Sequence, residues 1–196
     1  MANIKGLTVT RGDVSQTIDL VEITGVDITK NPELMRKIEQ DIIDYTIDRT
    51  HSGLGPGGKP WNAQSYSNEY KDSLAFKAAG KSGQVDLDLT GDMLGSIDVL
   101  KEDGGKIKIG IAEDSQLDKA FGHQTGYKGH PTIPQGKYKR EFIGLTQTEL
   151  KEILSQYKSE INQLKTKEPE ARVVDNQARL INAIRVSDLF GGDNES

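Results

Sequence analysis

An α+β fold, an antiparallel β-sheet packed against two amphipathic helices, is the class this sequence predicts, and three observations predict it. Two stretches, residues 31–50 and 146–165, repeat apolar residues at helical spacing. Between them, several runs alternate apolar and polar residues with a period of two. The turn Asp103-Gly104-Gly105 joins two of those runs, the pattern of an antiparallel hairpin.

Taken in order, Ile4, Leu7 and Val9, then Ile18, Leu20, Val21 and Ile23, lie in short β-prone stretches separated by Arg11-Gly12-Asp13. A glycine flanked by charges suits a hairpin turn, so residues 1–30 are expected to form an extended N-terminal β-arm outside a core domain of residues 31–165. The same tripeptide occurs in adhesion motifs, but its turn chemistry accounts for it. Asn31 is placed to cap a helix, Pro32 to occupy its first position and Glu33 to sit near its positive end. Leu34, Ile38, Ile42 and Tyr45, with Met35 and Ile43, make one inward stripe.

The middle of the chain reads as strand. Val85, Leu87 and Leu89 alternate with Asp86 and Asp88, Ile97 alternates with Val99, and Ile107, Ile109 and Ile111 alternate with Lys106, Lys108 and Gly110. LTGDMLGSI, residues 89–97, predicts one helical turn capped by Thr90, with Met93 and Leu94 inward. Thr146 and Glu149 have capping-box spacing, and Leu150, Ile153, Leu154, Tyr157, Ile161 and Leu164 share one side of the helix they open. Residues 166–196 are expected to form a C-terminal extension, with a shorter helix within 173–190 and a frayed GGDNES end.

Composition limits the function. Only 34% of the 196 residues are hydrophobic, 28% are charged and 21 are glycine, so the core is lean and loops and arms take much of the chain. A net charge of −5 and a pI near 5.3 argue against a surface built to grip phosphate backbones. The absence of cysteine excludes disulfides, thiolate metal sites and cysteine nucleophiles. MANIKGLTVTRGD has no apolar run of signal-peptide length and no window is long enough to span a bilayer, which predicts a chain kept in the compartment of its synthesis, with no membrane partner.

Candidate chemistry is sparse. Residues 53–59 match the phosphate-loop pattern G-x-x-x-x-G-K, but Pro60 stands where the magnesium-binding Ser or Thr belongs, and a helix precedes the loop where a buried strand is needed. A connection anchored by Trp61 is the expectation. His51, His123 and His130 do not pair at metal-helix spacing and read as loop histidines with ordinary hydrogen bonds. Asp86, Asp88 and Asp92 resemble an acid cluster, yet Asp86 and Asp88 fall on the outer face of an alternating strand. No G-x-S-x-G elbow appears. No catalytic residue, metal or cofactor is expected.

HQTGYKGHPTIPQGKYKREFIGLT, residues 123–146, is the most unusual stretch. It reads as a loop from the sheet to the last helix, anchored in the core by Phe142, Ile143 and Leu145. Lys137, Lys139 and Arg140 make the tight basic group of the chain, with Lys128 nearby and Tyr127 and Tyr138 interleaved. Such a mixture can stack on and pair with single-stranded nucleic acid. It can equally hold a neighbouring subunit, with Tyr and Arg as anchors, and Tyr127, Lys128, Lys137, Tyr138, Lys139, Arg140 and Trp61 are the candidate interface residues.

GLGPGGKPW at 53–61, LTGDMLGSI at 89–97, IKIGI at 107–111, AFGHQTG at 120–126 and IPQGKYKREFIGLT at 133–146 occur in an order that resembles the phage virion morphogenesis family, the tail-completion or neck proteins of contractile-tailed phages. The resemblance covers roughly residues 32–163. It rests on Gly58, Pro60 and Trp61; on Thr90, Gly91, Leu94, Ser96 and Ile97; on Ile109 and Gly110; on His123, Gln124 and Gly126; and on Ile133, Pro134, Arg140, Phe142, Gly144 and Leu145. The stretch from Pro134 to Arg140 is longer than the family's I-P-x-R pattern. The resemblance implies a structural virion protein and no enzyme: a ring of six or twelve identical subunits at the head–tail junction, around the DNA channel. Its other implied partners are the connector or stopper, tail tube and sheath, with DNA passing through the lumen unread. It implies a place in the virion neck or tail, and in the host cytoplasm during assembly. The competing expectation is a nucleic-acid-binding module using residues 127–140.

Overall fold

Residues 4–61, 66, 68–80, 87, 91–127 and 139–166 are described in this computed structural model, and they form the α+β architecture that the periodicities predict. Strands β1 (Leu7–Thr10) and β2 (Asp13–Asp19) form a hairpin across Arg11-Gly12. Helix α1 (Leu20–Thr24) follows directly, then α2 (Pro32–His51), the two-residue strands β3 (Leu54–Gly55) and β4 (Lys59–Pro60), and the short helices α3 (Asn68–Lys71), α4 (Leu74–Ala78) and α5 (Asp92–Gly95). Strands β5 (Ile97–Asp103) and β6 (Lys106–Ile111) lead into α6 (Asp114–Thr125) and α7 (Gln147–Ser155).

β1, β2, β6 and β5, in that spatial order, make one antiparallel sheet. The N-terminal hairpin expected at Arg11-Gly12-Asp13 is present, but it belongs to the sheet and is not an arm outside the core. β2 is an inner strand, paired with β6 from Ser15↔Gly110 to Asp19↔Lys106, and its Val14 and Ile18 are buried. Alternation shows that a strand has an inward face, but not that its partner lies about ninety residues further on. Gly110 is where β2 comes closest: a Cβ there would lie 2.4 Å from the Val14 carbonyl oxygen and 2.6 Å from the Ser15 Cβ.

Register assigns the faces. Gln16 opposes Ile109, Ile18 opposes Ile107 and Ile97 opposes Ile111, so these side chains share the inner face, and all are buried. On the outer face, cross-strand ion pairs join Lys108 to Asp13 (2.6 Å) and Lys106 to Asp19 (3.4 Å). α2 lies against β5 and α7, with Leu34, Ile38 and Ile42 fully enclosed. Each such side chain contributes about 1.5–3 kcal/mol relative to exposure.

Local chemistry explains the ends. Asn31 accepts the Leu34 N–H, with Pro32 at the start of α2, as expected. Leu20, Val21 and Ile23, expected as strand, are instead in α1, because the Asp19 side chain caps it through the Glu22 N–H and Gly25, at φ +71°, closes it. α5 forms where expected and buries Met93 and Leu94; Gly91 holds its cap position and no side chain caps it. Gly104 and Gly105 turn the β5–β6 hairpin at φ +56° and +82°. Of the strand expected around Val85–Leu89 only Leu87 is described, and its φ of +57° is left-handed, not extended. The remainder of that strand, with Thr90, lies outside the described residues.

The last amphipathic helix is shorter than its stripe. α7 ends at Ser155, residues 156–157 turn, and 158–166 are helical. The chain divides there into one unit through Gln156 and a second from Tyr157, which moves the expected core boundary from residue 165. The extension expected from 166 onward lies, apart from Thr166, outside the described residues.

Candidate functional site

The densest polar construction among the described residues surrounds Phe142-Ile143-Gly144-Leu145, a buried segment with no strand partner. Its backbone groups must find hydrogen bonds elsewhere, and three side chains supply them. Gln124, near the end of α6, accepts from the N–H groups of Phe142 (3.0 Å) and Ile143 (3.2 Å) and donates to the Ile143 carbonyl (2.9 Å). Arg49, in the last turn of α2, donates to the carbonyls of Phe142 and Gly144. Gln16 of β2 accepts from the Leu145 N–H (2.8 Å) and donates to its carbonyl (3.0 Å).

Arg49 also pairs with Glu149 at 3.0 Å, both side chains being almost fully enclosed. Oε1 of Glu149 further accepts the Gly57 N–H, and Oε2 takes the N–H and hydroxyl of Thr146, completing the capping box that opens α7. Burial pushes the Glu149 carboxyl up, but the two Thr146 hydrogen bonds and the Arg49 charge outweigh it and leave the group below its ordinary range. One carboxylate thus ties α2, the β3–β4 turn and α7 together. That turn is held rather than loose: Trp61 donates its N–H to the Gly53 carbonyl, and a Cβ on Gly55 would lie 2.7 Å from the Glu141 carbonyl oxygen.

Beside this segment, His123 lies inside α6 and not, as the spacing suggested, in a loop. Its ring meets Tyr127 edge-on at 5.4 Å, and its Nε2 is 3.4 Å from the Tyr127 hydroxyl. Burial, with the charges of Arg140 and Lys119, pulls its pKa down to about 3, so the ring is neutral at pH 7. Tyr66, Tyr70 and Phe76 form a tilted and edge-to-face trio with centroids 5.0–5.5 Å apart. The Arg140 guanidinium sits 5.1 Å over the Tyr66 ring.

These placements change the candidate interface. Arg140 is buried, with its N–H on the His123 carbonyl, so it is a packed residue and not an exposed anchor. Lys139 pairs with Glu141 at 2.7 Å. Tyr127, at φ +58°, folds back over Gly122, where a Cβ would lie 2.6 Å from its ring. Trp61 is half-buried. Lys128, Lys137 and Tyr138 lie outside the described residues, as do Asp86, Asp88 and His130. Leu94, Ile97, Ile109, Phe142 and Leu145 are all core residues, as expected. Among the described residues, no three acids or histidines are grouped to hold a metal ion.

The sequence reading missed Gln16 and Arg49, although both carry a signal. Arg49 continues the spacing of Ile38, Ile42 and Tyr45, and Gln16 stands between Val14 and Ile18 in an inward set. A polar residue on an apolar stripe needs a buried partner. No family model, curated protein or solved structure matches the chain.

Proposed function

We propose that this chain is a structural virion protein of a phage neck or tail, a tail-completion or tail-terminator protein that forms a ring of identical subunits around the DNA channel. The observation that carries the reading is where the motif residues fall. Gln124 of one motif and Phe142, Gly144 and Leu145 of the next take part in one hydrogen-bonded construction, while Leu94, Ile97 and Ile109 are core. Residues bound up in internal hydrogen bonds and packing maintain architecture, which fits a motif set belonging to an assembly protein and not to a catalyst. A net charge of −5 suits a channel through which DNA slides without sticking.

The nucleic-acid reading loses two of its cations, since Arg140 is buried and Lys139 is held by Glu141. No described helix is long and apolar enough to cross a membrane. The reading places the chain in the virion neck or tail, after assembly in the host cytoplasm, against connector, tail-tube and sheath proteins. Electron microscopy of the purified chain tests it. Rings with a central pore are expected; single particles at every concentration, with salt-sensitive binding to DNA, would replace this reading with the nucleic-acid one.

A further inference from the structure

β1 lies at one edge of the sheet, with β2 on one side and, among the described residues, no strand on the other. In an antiparallel pair, successive residues alternately turn their backbone N–H and carbonyl toward the partner strand and away from it. The Thr17 N–H donates to the Gly6 carbonyl at 2.9 Å, and β1 pairs with β2 without a shift from Leu7↔Gln16 to Thr10↔Asp13. Counting in twos from Gly6, Thr8 and Thr10 face β2. The N–H and carbonyl groups of Leu7 and Val9 therefore point out from the open edge.

The two edges of the sheet differ. β5 carries Lys101, Glu102 and Asp103 and a register shift between Val99 and Lys101, and both features hinder pairing with a further strand. Leu7–Thr10 carries no charge, proline or shift. The side chains of Leu7 and Val9 share the inner face with Gln16 and Val14, yet they are half-buried where Val14 is fully enclosed. Exposed ion pairs stand at the two ends of the strand, Lys5 with Glu22 at 3.1 Å and Arg11 with Asp118 at 3.8 Å.

We propose that the free edge of β1 docks β1 of a second copy, the two strands running antiparallel about a two-fold axis at Thr8. Self-complementarity selects the occupant. With Thr8 on the axis, Leu7 lies opposite Val9 of the other copy and Val9 opposite its Leu7, so outward N–H groups meet outward carbonyls and the half-buried side chains cover one another. A register displaced by one residue would set these groups against Thr8 or Thr10, whose own are already bonded to β2. One displaced by two would set Val9 against Lys5 or Leu7 against Arg11. The register on Thr8 also brings Lys5 and Glu22 of one copy to Arg11 and Asp118 of the other, so each cation meets the other copy's acid as well as its own, in a network of four charges. The inference does not rest on the ring reading: a two-fold contact closes on itself as a dimer, whereas a ring needs a head-to-tail contact elsewhere on the surface.

Residue-resolved hydrogen exchange of the full chain at low and high concentration, alongside sedimentation equilibrium, tests the contact. A concentration-dependent dimer is expected, with the Leu7 and Val9 amides protected only where it is populated and those of Thr8 and Thr10 protected throughout. T8E and T8K each place two like charges across the axis, on the outer face of the sheet, and should weaken the dimer about tenfold or more. An equimolar mixture of the two should restore it. V9P removes an outward N–H, a place where edge strands accept proline, and should abolish the dimer while leaving the circular dichroism of the fold unchanged. Leu7 and Val9 protected equally at every concentration would mean that the chain's own segment covers the edge, and would overturn the proposal. Association that leaves those two amides exchanging freely, or that is undiminished in both T8E and V9P, would overturn it while leaving the ring reading standing. Single molecules from the unaltered chain at every concentration would overturn both.

Discussion

Glu149 shows how much one side chain can carry. Arg49 is its sole close cation among the described residues, and both groups are out of water. Removing one partner of such a pair strands the other, so Arg49→Met is expected to cost about 3–5 kcal/mol in urea unfolding. A loss below about 1 kcal/mol would mean that the hydrogen bonds from Thr146 and Gly57 suffice. The pH dependence has opposite signs at the two buried acids. Glu149 is held below its unfolded value, so its contribution is present at neutral pH and is lost as the medium is acidified through its folded pKa. Glu39 is held above its unfolded value of 4.5, near 7, so its contribution is present below about pH 4.5 and disappears as pH rises through about 7. Glu39→Gln should therefore stabilise the chain by roughly 1–3 kcal/mol at pH 8, and by almost nothing at pH 4. Comparing the unfolding midpoints of the two proteins across that range isolates Glu39 from His123, whose depressed pKa acts in the other direction below about pH 6.5.

At the level of elements, the segment 142–145 behaves like a strand whose ladder has been replaced by side chains. Gln124 makes three of its hydrogen bonds, so Gln124→Ala leaves buried N–H and carbonyl groups unpaired. The expected cost is about 1–3 kcal/mol for each group left without water or a partner, read as a lowered midpoint and as faster amide exchange at Phe142 and Ile143. Protection unchanged at those two amides would show that water or another group replaces Gln124. β2 and β6 approach so closely at Gly110 that Gly110→Ala must part the strands. A loss of about 1–3 kcal/mol is expected, as for other overpacked sites, and an unaltered midpoint would show that the pairing can move. The helices differ in how far their stripes predicted their length. α2 has a side-chain cap and a proline at its start, and runs the length of its periodic stretch. The stripe after Thr146 breaks at 156–157, where Ser155-Gln156-Tyr157-Lys158 contains neither glycine nor proline and gives no stop signal.

At the scale of the whole molecule, the sheet leaves two edges among the described residues, β1 and β5. β5 ends in Lys101, Glu102 and Asp103, all exposed, and charges along an edge discourage strand-to-strand pairing. If the proposed rings are held by charge pairs near the surface, salt screens those pairs, so the rings are expected to dissociate more readily at about 1 M than at about 0.1 M ionic strength. Sedimentation at the two concentrations checks this, and rings unaffected by salt would point to an apolar contact elsewhere.

The sequence by itself determined the α+β class, the caps of α2 and α7, the β5–β6 turn and the inward isoleucines of β6, because capping, turn chemistry and periodicity act over a few neighbouring residues. It also marked Phe142, Ile143 and Leu145 as anchors, while the signal of Gln16 and Arg49, polar residues on apolar faces in need of partners, went unread. The tertiary structure alone decided who those partners were. It put the N-terminal hairpin inside the sheet, turned Arg140 inward over Tyr66, and left Glu39 enclosed with its Oε1 unpartnered among the described residues. Strand order and buried-charge pairing depend on residues about a hundred positions apart, whose meeting is set by how layers pack.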